Sequence, residues 1–137
     1  MATQAISTQS KKSSTGQWAV EADGIFCVLA GLLFALDANG ISQFMGVQSS
    51  SVIGVLGAVT FVYGLGLLYD AFKGLVNARL LRVLMSLDFV GAAITIGFLV
   101  VAPTALNTEG RWVVLILADV MAAFGIWKYV GLRRLSR

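Results

Sequence analysis

Three carboxylates stand inside stretches that carry no other charge: Asp37 in LLFALDANG, Asp88 in LMSLDFVGAAI and Asp119 in LILADVMAA. An acid at the centre of an apolar membrane helix costs about 2.5–3.5 kcal/mol on insertion scales. Each must therefore face neighbouring helices or a wet cavity. Grouped acids of this kind bind cations or relay protons, and two held close together share a proton. Asp37 and Asp119 fall at similar depth and are placed to approach one another. The competing reading is structural: a carboxyl that caps backbone, bonds a nearby hydroxyl or, for Asp88, reaches Arg82 or Arg79.

The remaining acids have simpler readings. Glu21 and Asp23 stand where a first helix is expected to begin, and the positive end of the helix dipole favours them there. Asp70 and Lys73 are spaced i,i+3 and read as an interfacial ion pair. Other chemistry is absent. The chain contains no histidine and one cysteine, Cys27. That removes His-ligated haem or chlorophyll, most catalytic zinc sites and every Ser-His or Cys-His pair. It also removes an intramolecular disulfide and a cysteine-held cluster. No cofactor, no metal and no enzymatic activity is expected. The glycines of GVLGAVTFVYGLG form no phosphate loop, because no Lys-Ser/Thr follows them.

The elements that must position these acids follow from composition. Of 137 residues, 58% are hydrophobic and 12% charged, with a mean hydropathy of +0.85. Ordinary soluble domains are about 45–50% apolar and about 25% charged. A chain this short cannot hide so much apolar surface, so its solvent is a bilayer. Four runs, about 24–44, 52–72, 83–106 and 112–130, each cross a hydrocarbon core of about 30 Å. Lipid offers backbone no hydrogen bonds, so each run is expected to be helical. The short links at 45–51, 73–82 and 107–111 force neighbours antiparallel. The expected fold is all-α, a membrane-embedded antiparallel four-helix bundle, up-down-up-down, forming a single domain over 18–137. Pro103 is expected to end or bend the third helix.

Nine of the ten Lys and Arg fall on one side of these spans, and Arg111 alone on the other. Lys11, Lys12, Lys73, Arg79, Arg82, Lys128, Arg133, Arg134 and Arg137 make that side cytoplasmic. Residues 1–17 read as a polar cytoplasmic tail with no apolar run for a cleavable signal. The net charge of +3 is explained by topology, so no nucleic-acid partner is expected. Arg133, Arg134 and Arg137 are placed to contact lipid headgroups.

Small residues recur at four-residue spacing: Gly31 with Ala35, Gly54 with Ala58, Thr60 with Gly64, Ala93 with Gly97, and Ala118 with Ala122. Such pairs let helix backbones approach closely. They point to tight packing, inside the bundle or between protomers.

LMSLDFVGAAI at 84–94 and RWVVLILADVMAAFGIWKYVGLRRL at 111–135 resemble the ending of a loose group of small bacterial four-helix membrane proteins. Those chains also finish with an Asp-containing span, an aromatic residue and Gly-Leu-Arg-Arg. The resemblance implies a multi-pass protein of the bacterial inner membrane and no activity. Two functions remain open. One is a subunit or assembly factor of a membrane complex, or a homo-oligomer, acting through helix packing with the bilayer and a membrane protein as partners. The other is a proton- or cation-coupled transporter or channel formed between protomers, with Asp88, Asp119 and Asp37 on its path.

Overall fold

The computed structural model describes residues 2–137, with side chains from Thr15 onward. Lys11 and Lys12 of the expected tail therefore lie outside the described side chains. Five helices follow in order: α1 (Ala2–Leu36), α2 (Ala38–Met45), α3 (Ser50–Phe72), α4 (Ala78–Val101) and α5 (Thr108–Leu135). No strand occurs among the described residues. Four segments are long and apolar enough to cross a bilayer: Thr15–Leu36, Ser50–Phe72, Ala78–Val101 and Thr108–Leu135. The protein is an all-α, four-span integral membrane protein.

The first span differs from its expected range. It lies earlier in the chain, and residues 38–45 form a separate short helix. Asp37 causes the break. Its backbone leaves the helical region (φ −116°, ψ 42°), and its carboxyl accepts the Gly40 N–H at 3.3 Å, capping α2. A short acidic side chain that bonds nearby backbone competes with helix continuation. Gly46, at φ 75°, then ends α2 in the left-handed conformation that glycine adopts without a Cβ clash. Asn77 caps α4 and Asn107 caps α5 through their side-chain oxygens. Helix α4 stops at Val101, two residues before Pro103, because a residue preceding proline avoids the helical region.

Between helices, lipid is as apolar as leucine, so close packing rather than the hydrophobic effect drives association. Two glycine pairs join α1 to α3, antiparallel. Gly24 meets Gly64, and Gly31 meets Gly57. A Cβ on Gly31 would lie 2.7 Å from the Gly57 carbonyl oxygen, and one on Gly57 would lie 2.5 Å from the Ala35 nitrogen. In each helix the two glycines are seven residues apart, so they share one face. Helix α5 packs antiparallel to α4, with Gly125 against Phe89 and Gly91 against Met121. It also packs against α1, where Gly131 faces Gly16. The result is two helix pairs, α1–α3 and α4–α5, joined along α1 and α5; the α3 and α4 backbones do not pack together.

Apolar clusters close both ends. Val20, Leu67, Ala71, Leu81 and Leu84 pack at the end that carries Arg79, Arg82 and Arg133. Met45, Ile53 and Leu106 pack at the other. The four-residue small pairs are used unevenly. Gly31, Gly64 and Ala118 are buried, Ala35 lies against Gly57, and a Cβ on Gly54 would lie 3.5 Å from the Ala38 Cβ of α2. Ala122 is half-buried. Ala58, Ala93 and Gly97 face outward, and a Cβ on Gly97 would meet nothing within 4 Å, so these three do not pack helices inside the chain.

Candidate functional site

Between the two clusters lies a buried ion triad. Lys128 of α5 is 0% exposed, while Asp23 of α1 and Asp88 of α4 are each 4% exposed. The Lys128 ammonium donates to Asp23 Oδ2 and, at 2.6 Å, to Asp88 Oδ2. The three residues come from three different spans and ride on the glycine contacts. Gly125, one turn before Lys128, lies against the Asp88 Cβ, so α4 approaches α5 closely enough for the pair to form. Gly24, beside Asp23, holds α1 against α3. Lys128 lies seven residues before Leu135, about 10 Å along the helix, and Asp88 lies ten residues after Ala78, about 15 Å. The triad is therefore inside the apolar layer.

An unpaired charge there costs several kcal/mol, and mutual attraction offsets this only when hydrogen bonds complete the geometry. Here one ammonium serves two carboxylates. Cys27, one turn along from Asp23, donates its thiol to Asp23 Oδ1 at 3.4 Å. With all three groups ionised, the cluster carries one surplus negative charge.

The triad borders a cavity of about 300 Å³. Asp23, Cys27, Tyr63 and Asp88 stand at one end, and Phe34, Leu56, Thr95 and Val114 at the other. The Tyr63 hydroxyl oxygen is buried without a hydrogen-bond partner. Thr95 is occupied, because its hydroxyl donates to the Gly91 carbonyl at 2.7 Å. Among the described residues, no three His, Cys, Asp or Glu side chains gather to hold a metal ion.

Of the three expected intramembrane acids, the structure brings only Asp88 into this cluster. Asp37 is an exposed helix cap, and Asp119 is exposed on the outer face of α5. Asp88 pairs with Lys128 rather than with Arg82 or Arg79, both of which are exposed. Asp23 is not at a helix start, because α1 begins well before it. Lys128 is not an interfacial lysine. The Asp70–Lys73 ion pair is not formed: Lys73 sits past the end of α3 with its nitrogen 5.9 Å from the Tyr69 ring centroid. Arg133, Arg134 and Arg137 are exposed at the end of α5. Arg134 also donates to the Thr15 hydroxyl at 3.0 Å, and the Arg133 guanidinium lies 5.6 Å from the Tyr129 ring centroid.

No protein-family model, curated protein or solved structure matches this chain.

Proposed function

We propose that the protein is a non-catalytic subunit of a bacterial inner-membrane assembly, either a complex of other proteins or a homo-oligomer, with both termini cytoplasmic. Asp119 carries this reading. It lies eleven residues into the 28-residue helix α5, near mid-membrane, and it is exposed. A carboxyl facing lipid at that depth costs about 2.5–3.5 kcal/mol, which a hydrogen-bond donor on another helix removes. Ala123, also exposed, and half-buried Ala122 leave room beside it for a close helix approach. The outward-facing Ala93 and Gly97 of α4 offer the same kind of surface.

Asp119→Leu tests this. In mild detergent the native protein is expected to run at the mass of its assembly, and the variant at the mass of a single chain. Its helix content by circular dichroism should be unchanged, because the exposed side chain does not contribute to the fold of its own chain. An Asp119→Leu protein that keeps the native mass overturns the reading.

The surplus charge of the triad supports a second reading, ion or proton coupling, with the path inside one chain rather than between protomers. Flux into liposomes that is lost in Asp88→Asn but kept in Asp119→Leu distinguishes it from the first.

A further inference from the structure

We propose that the intramembrane cavity binds a small apolar organic cation, its charge facing the Asp88–Lys128–Asp23 triad and its body held among Phe26, Phe124 and Tyr63. Three independent observations meet at this place. The first is charge. Two carboxylates share one ammonium, and all three side chains are at least nine-tenths buried. With both carboxylates ionised, the triad carries one negative charge more than its ammonium balances, and Asp23 and Asp88 line the cavity, so a cation is the complementary occupant and an anion is repelled.

The second is the wall. Phe26 is three residues beyond Asp23 and Phe124 is four before Lys128, so both rings stand about one turn from the triad. Their centroids are 5.9 Å apart at an interplanar angle of 49°. Aromatic faces beside a carboxylate are the usual surroundings of quaternary ammonium groups. The third is Tyr63, which lines the same space and whose buried hydroxyl oxygen lacks a partner inside the chain.

Size and access narrow the class. About 300 Å³ is at the lower edge of ligand cavities, which span about 300–1,000 Å³. It admits one aromatic or branched-alkyl ammonium ion and excludes a two-chain lipid. The α3 and α4 backbones do not pack together, and Leu56, which lines the cavity, is 54% exposed on the bilayer side. This site is separate from the outer face of α5.

The test is calorimetry on the full chain in nanodiscs with three probes of similar size: benzyltrimethylammonium, its neutral isostere neopentylbenzene, and benzenesulfonate. The cation is expected to bind about tenfold or more tightly than the isostere, and the anion not at all. Asp88→Asn, which removes the surplus charge, is expected to weaken the cation by about tenfold and leave the isostere unchanged. Ala30→Leu fills the cavity without touching the triad and is expected to abolish binding, which keeps the test decisive if Asp88→Asn fails to fold. Absence of cation binding, an isostere within about threefold of the cation, binding of the sulfonate, or full binding to Ala30→Leu overturns the proposal.

Discussion

Lys128 is the residue on which two buried acids depend. Removing one member of a buried ion cluster leaves the others uncompensated and costs about 3–5 kcal/mol, whereas replacing the whole cluster by apolar side chains is often neutral. Lys128→Met is therefore expected to unfold at markedly lower denaturant in a detergent–SDS titration. The triple variant Asp23→Leu, Asp88→Leu, Lys128→Met is expected to regain most of the loss. Equal stability of Lys128→Met and the native protein shows that the triad holds nothing together. At this scale the sequence was half legible. Asp88 stood out because its neighbours are apolar. Asp23 and Lys128 did not, because each lies within a few residues of a polar or basic segment and had a ready topological explanation. The signal that exposes Lys128 is its helix face: Ala118, Gly125 and Lys128 recur at spacings that keep them on one side of α5, and all are buried.

Among elements, the α1–α3 contact is the most intimate, and glycine sets its distance. A Cβ on Gly31 meets backbone atoms of Phe61 and Gly57, which no side-chain rotation relieves. Gly31→Val is expected to destabilise by about 1–3 kcal/mol, as overpacking does. Gly66, on the same helix pair, has nothing within 4 Å of its ideal Cβ position, so Gly66→Ala is expected to be neutral or to stabilise by about 0.5–1 kcal/mol. Melting both variants in one detergent separates the two; equal effects contradict the contact. The four spans were legible from length and hydropathy alone. Their pairing was not, because small residues occur on every span and the glycines that matter repeat every seven residues rather than every four. The α1–α2 break was hidden for another reason. Residues 38–45 look like a continuation, and a single backbone-capping carboxylate ends α1.

At the scale of the whole molecule, Lys73, Arg79, Arg82, Arg133, Arg134 and Arg137 gather at one end of the bundle, and Arg111 lies at the other. Moving Lys128 inward leaves that asymmetry standing. Tags at both termini are expected to be cleaved by protease in inverted vesicles and protected in intact spheroplasts; a tag cleaved from outside contradicts the orientation. The up-down order was legible because the links are short, whereas the gap between α3 and α4 depends on side chains meeting across three helices. The distance along the chain between Asp23 and Lys128, 105 residues, has a consequence for biogenesis. The first span enters the bilayer long before the ribosome has made its counterion, and Asp88 joins it still unneutralised. Helix α5 supplies the counterion of the first span. A chain truncated before α5 is expected to carry Asp23 and Asp88 without their ammonium partner.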